Sequence, residues 1–77
     1  MEKWLKVVKK LWKKDEVLAV IESIMTGDFS DLNIKQLAGK PWYYRCRIWK
    51  IRIIFFEKDG RFFVDKVGYR GDIYKNI

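Results

Sequence analysis

The sequence predicts an α+β fold: an N-terminal helical hairpin packed on one face of a small antiparallel β-sheet, a three-stranded meander. Two periodicities and a set of turn signals predict it. Apolar residues recur at helical spacing through about residues 2–26, then switch to strand-like alternation from Trp42 onward. Between and within those halves, Gly and Pro positions punctuate the chain.

In KWLKVVKKLWKK, residues 3–14, Trp4, Val8, Leu11 and Trp12 share one helical face, with Leu5 and Val7 beside it and lysines around the rest. A basic amphipathic helix of this kind can lie on a membrane surface or on nucleic acid phosphates. In so short a chain its tryptophan-rich face is needed for the core, so the lysines are read as solvated. Asp15 is placed to cap a second helix, EVLAVIESIM, whose buried stripe is Val17, Leu18, Ile21, Ile24 and Met25 and whose terminator is Gly27. Almost nothing separates the two helices, which predicts a hairpin whose joint apolar stripe lies across the sheet. Residues 27–41, GDFSDLNIKQLAGKP, read as a connecting loop with apolar anchors at Phe29, Leu32, Ile34 and Leu37.

The strands follow. Alternation puts Trp42, Tyr44, Cys46 and Ile48 on one face and Tyr43, Arg45 and Arg47 on the other. With Trp49-Lys50 as a two-residue hairpin loop, Ile48 faces Ile51 and Arg47 faces Arg52. Asp59-Gly60 is a strong second hairpin signal, leading into RFFVDKV, and Gly68 is read as the break that ends that strand. Ile48, Ile51, Ile53 and Phe55 assign their face to the helices and leave the arginine face open. Directly opposed like charges cost about 0.2–1 kcal/mol per pair. An arginine cluster therefore points to an anion or an acidic partner between the guanidiniums.

Composition narrows the function. Seventy-seven residues with 49% hydrophobic content support one small core, and a chain of this size buries only roughly 60% of its unfolded surface. The net charge of +7 implies an acidic partner such as nucleic acid, an anionic surface or an acidic protein. There is no histidine and one cysteine, Cys46, so imidazole acid–base chemistry is excluded and neither a metal nor a cofactor is expected. Cys46 reads as a buried thiol in a reducing compartment, and with no signal peptide or apolar span in view the expected location is cytoplasmic.

LAGKPWYYRCRIWKIRIIFF, residues 37–56, followed by VGYRGDIY, residues 67–74, resembles the RelE-like toxins of bacterial and archaeal toxin–antitoxin pairs. Those proteins show a Leu-x-Gly lead-in, a Tyr-Arg-x-Arg strand, a tight turn, a Tyr-Arg-hydrophobic-hydrophobic strand and a closing Gly-His-Arg-x-x-x-Tyr. The resemblance covers roughly the C-terminal half and implies that residues 1–77 form one RelE-like toxin domain. It implies a ribosome-dependent, metal-independent mRNA endonuclease (mRNA interferase), the toxin of a type II pair, inhibiting translation until a cognate antitoxin silences it. On that resemblance Arg45, Arg47, Arg52, Arg70 and Tyr74 are the catalytic candidates; the nucleic-acid-binding candidates are Lys40, Lys50 and Trp49, the last read from its own chemistry as either a stacking platform for a base or a packing residue at the sheet rim. Fixed guanidiniums suit the charge that develops on a phosphodiester, and with no histidine Tyr74 becomes the candidate to accept the 2′-hydroxyl proton.

The chain departs from the family pattern in three ways. It lacks the usual strand before the helices, so one sheet edge is expected to be open to pairing with a second copy or an antitoxin segment. Trp49 stands where the turn usually has glycine, and Ile51 where the next strand usually has tyrosine. Tyr69 stands in place of the closing histidine. Two alternatives remain: a ParE-like gyrase inhibitor acting by binding, and a catalytically degenerate relative that only binds nucleic acid.

Overall fold

The structure is a computed structural model that describes residues 3–11 and 13–69. Helices α1 (Lys3–Lys9) and α2 (Lys14–Thr26) precede strands β1 (Asn33–Leu37), β2 (Lys40–Ile48), β3 (Ile51–Lys58) and β4 (Arg61–Tyr69). The strands form a four-stranded antiparallel sheet in the order β1-β2-β3-β4. The α+β class and the β2-β3-β4 meander agree with the sequence; the fourth strand is a correction, because β1 lies inside the segment read as a loop.

The strand was hidden by an irregularity. Ile34 pairs with Cys46 and Gln36 with Tyr44, but Leu37 pairs with Lys40 across a register shift, so the apolar positions of NIKQL do not alternate. Pro41, which has no N–H to donate, lies in the unpaired stretch of β2 opposite that shift. The same stretch contains Trp42, which is exposed rather than on the helix-covered face its parity predicts. Gly39 turns the chain between the strands with φ 77°. The edge of β2 is thereby paired within the chain, so the expected docking of a second copy or antitoxin segment on that edge is overturned.

Both helices lie against β4 and touch each other. α1 is shorter than the predicted 3–14: the amides of Lys10 and Leu11 bond back three residues, to the carbonyls of Val7 and Val8, and tighten the chain out of the helix. Val8 and Leu11 are nevertheless buried and Trp4 packs on the core, while Lys6, Lys9 and Lys10 are exposed. Trp12 lies outside the described residues. Asp15 does not cap α2. The N-cap is Lys13 in the left-handed conformation, and Asp15 sits in the first turn, where its charge complements the helix dipole. Gly27 does close the helix, with φ 82° and backbone bonds from Gly27 N to Ile24 O and from Asp28 N to Ser23 O. Val17, Ile21 and Ile24 form the buried stripe with Val20 beside it, while Leu18 and Met25 remain exposed.

The core between helices and sheet is closed by Cys46, Ile51, Ile53, Phe55, Val64 and Val67. Phe55 stacks on Tyr44 at 5.4 Å and meets Phe29 and Phe62 edge-on at 5.7 and 6.0 Å. Gly68 does not break β4: it lies within the strand, opposite Arg52. Among the described residues no helix is long and apolar enough to cross a membrane.

Phe55→Ala should cost about 3–5 kcal/mol, a large part of what holds a domain of this size together, and urea unfolding should show most of that loss. Burial pushes the Cys46 thiol up to about 11 from 9.0. The folded state therefore resists its ionisation, and stability should be intact below about pH 9 and decline as pH rises toward 11. Melting temperatures across that range should fall less steeply for Cys46→Ala than for the wild type, and a thiol reagent at neutral pH should label Cys46 only after unfolding.

Candidate nucleic-acid interface

The β2–β3 hairpin sorts its side chains by parity. Cys46 pairs with Ile53 and Tyr44 with Phe55 toward the helices, so Arg45, Arg47 and Arg52 share the opposite face. Arg47 faces Arg52 directly, as the sequence predicts, and Arg45 lies across from Ile54 on one side and Lys35 on the other. Lys66 flanks Ile54 from β4. Lys35 lies on the strand that was read as a loop, and the Lys-Gln lead-in to Leu37-Ala38-Gly39 carries no signal of its own.

The three arginines are not equivalent. Arg47 is exposed, Arg45 half-buried, and Arg52 only 6% exposed. One Nη of Arg52 donates to the carbonyl oxygens of Trp49 and Ile51, each at 3.2 Å, which holds the guanidinium against the hairpin turn. Across from it, Gly68 places no side chain on that face. The Nε atoms of Arg45 and Arg52 are buried and make no hydrogen bond among the described residues. A buried donor left unmade costs about 1–3 kcal/mol, more when it is charged. The directly opposed Arg47–Arg52 pair with Arg45 beside it concentrates like charge on one face, a repulsion that an anion lying over the face would offset.

Further along the same face the surface becomes aromatic. Tyr43 lies 5.4 Å from Phe56, which stacks on Phe63 at 5.5 Å, and Lys40 Nζ sits 5.3 Å over the Tyr43 ring. Asp65 is the extra residue where β4 shifts register between Lys66 and Val64, a bulge. Burial, and then the nearby Asp65 carboxylate, push the Tyr43 phenol above its ordinary value. That is the wrong direction for a proton acceptor near neutral pH. Trp49 and Lys50 form the β2–β3 turn, both exposed, at the rim of the arginine face. Arg70 and Tyr74 lie outside the described residues.

These features define a two-layer α+β domain with a guanidinium-lined outer sheet face. The fold is RelE-like: it matches a chain of the crystal structure of the RelB–RelE antitoxin–toxin complex from Methanococcus jannaschii with a TM-score of 0.82, at 21% sequence identity, over 99% of this chain and 94% of that one. No protein-family model matches the sequence, and no curated protein matches it.

Arg52→Met should separate stability from anion binding. Met fills the space of the arginine stem and removes a buried charge with an unmade donor, so the unfolding free energy should stay within about 1 kcal/mol of the wild type or rise. Retention on heparin should fall more than for Lys10→Met, on the opposite layer. A stability loss of about 3–5 kcal/mol would instead mark Arg52 as half of a structural ion pair.

Proposed function

We propose that this chain is the toxin of a type II toxin–antitoxin pair, a metal-independent endoribonuclease that cleaves mRNA on the ribosome. The observation that carries the reading is the Arg45–Arg47–Arg52 cluster on one face of the β2–β3 hairpin, with Arg47 directly opposite Arg52. The RelE-like fold supports it, and the arginine face is what favours a toxin over an antitoxin.

In this reading the message lies on the outer sheet face. A ribose 2′-oxygen forms a bond to the adjacent phosphorus, the bond from phosphorus to the 5′-oxygen breaks, and a 2′,3′-cyclic phosphate and a 5′-hydroxyl result. The phosphoryl oxygens gain negative charge on the way, and guanidiniums already oriented toward them stabilise it without reorganising. Arg52, pinned to the turn, provides the fixed charge, while Arg45 and Arg47 follow the backbone; their planar forks suit bidentate contacts to phosphate. Tyr74 receives the 2′-hydroxyl proton, the role the family resemblance implies for it, with Arg70 as a further catalytic candidate; the leaving 5′-oxygen takes a proton from water. Lys40, Trp49 and Lys50 bind the flanking strand. The cognate antitoxin presents an acidic or amphipathic segment to the same face, so inhibition is competition for the guanidiniums.

Expression of the wild type should arrest translation and produce mRNA ends that map to translating ribosomes. Arg52→Ala, Arg70→Ala and Tyr74→Ala should each lower cleavage by about 10²–10³-fold, the cost of removing one pre-oriented donor or proton acceptor. Cleavage that survives Arg70→Ala and Tyr74→Ala would remove the catalytic assignment. Growth arrest with intact mRNA and accumulating DNA damage would point to gyrase, and salt-sensitive RNA binding without cleavage to a binding protein.

A further inference from the structure

A cavity of about 210 Å³ opens at the β2–β3 turn, on the other side of the rim from the arginine face, lined by Lys13, Trp49, Lys50, Ile51 and Tyr69. We propose that it is a subsite for one base of a single-stranded RNA, entered by a strand that crosses the hairpin rim while its phosphates stay with Arg52 and the lysines. This rests on the RNA reading above and deepens it.

Backbone geometry provides the first argument. Trp49 has φ 56° at the first residue of a two-residue turn, a position where glycine is free of strain. A large side chain there costs roughly 1–2 kcal/mol. That strain brings no compensating burial, since Trp49 is 61% exposed. Burial does not account for the ring, and its contacts to Glu16 and Lys13 engage its N–H and one face while leaving most of its surface open.

The ring is also held in place. Trp49 Nε1 donates to Glu16 Oε2 at 3.2 Å, and Lys13 Nζ lies 4.9 Å from the ring centroid while reaching Glu16 Oε1 at 3.6 Å. An indole tied through its N–H samples fewer orientations than a free one, so less entropy is lost when a flat ligand meets it. The Lys13 ammonium sits over the ring as a cation does before an aromatic ligand arrives. That contact is worth only about 0.5–1 kcal/mol at an exposed site, so the flexible lysine can move from the ring to a phosphate.

Chemistry and size select the ligand. The cavity offers an apolar floor at Ile51, aromatic surfaces at Trp49 and Tyr69, and ammonium groups at Lys13 and Lys50. A ring with a phosphate on either side needs that combination. The volume is below the roughly 300–1,000 Å³ of pockets that enclose a drug-sized molecule, which fits one flat ring with the rest of its chain outside. The Arg52 bond to the Trp49 carbonyl ties this turn to the phosphate face, so base and backbone sites move as one body.

The test is anisotropy titration of a fluorescein-labelled single-stranded RNA octamer against the full chain, beside octamers carrying one abasic residue at each position in turn. Trp49→Gly relaxes the turn and removes the ring, and it should weaken the intact octamer by about five- to a hundred-fold with an unchanged salt slope. Tyr69→Leu should weaken it in the same direction, and Lys50→Ala should reduce the slope by roughly 0.7. One abasic position should weaken the wild type equally and Trp49→Gly no further. Wild-type affinity in Trp49→Gly, or a loss that persists with every abasic octamer, overturns the subsite. If that variant loses only antitoxin capture, the cavity is a protein site and the proposal falls. A wild type that binds and cleaves RNA while Trp49→Gly matches it removes the subsite alone, whereas a wild type that binds no RNA removes the proposed function with it.

Discussion

The register of the β2–β3 hairpin is the constraint on which the rest of the molecule depends. Cys46 opposite Ile53 and Arg47 opposite Arg52 are adjacent rungs of one ladder, and side-chain direction alternates between them. A slip of one residue would send the arginines into the helix layer and Ile53 into water, so the apolar rungs hold the charged ones in place. The core thus does more than stabilise: burying Cys46, Ile53 and Phe55 forces like-charged side chains together on the outer face. The repulsion between them is small beside the burial that enforces it, about 0.2–1 kcal/mol for the opposed pair against roughly 1.5–3 kcal/mol for each large buried side chain.

Strain and unmade bonds collect at one end of that hairpin. Arg52 is buried with a donor unused, Trp49 holds a left-handed backbone, and Lys13, which lies over Trp49, is left-handed as well at φ 68°. Each feature opposes folding locally, and is outweighed by the burial of a core that includes Val8, Leu11, Ile51 and Val67. Departures from the locally favoured state are expected where a surface is shaped for a ligand. Here they lie on both sides of one rim, which is the reason to read the arginine face and the tryptophan cavity as parts of a single binding path.

Much of this was legible in the sequence because the elements that form the site obey simple periods. Alternation from Tyr43 to Phe55 placed the arginines, the Trp49-Lys50 turn and the opposed Arg47–Arg52 pair correctly, and Asp59-Gly60, both at positive φ, forms the tight turn its residues announce. What was not legible had physical causes. β1 was missed because the register shift at Leu37 destroys its alternation, and Lys35 was missed with it. Asp15 looked like a cap because capping chemistry is local, whereas the left-handed turn at Lys13 is set by the packing of two helices on β4. Leu18 and Met25 looked buried because a helix of this length can present a wider stripe than the small sheet can cover. The burial of Arg52 and the idle Nε donors are tertiary properties that no spacing rule reports.

The proposed RNA path runs over the outer sheet face and not over the lysine-rich N-terminal helix, although both are basic. Nuclear magnetic resonance of the arginine Nε–Hε groups and lysine ammonium groups, during titration with a single-stranded RNA octamer, tests it most directly. On the proposed path Arg45, Arg47 and Arg52 should shift first and saturate together, while Lys6, Lys9 and Lys10 should move little. Shifts concentrated on those helix lysines, with the three arginines unchanged, would contradict it.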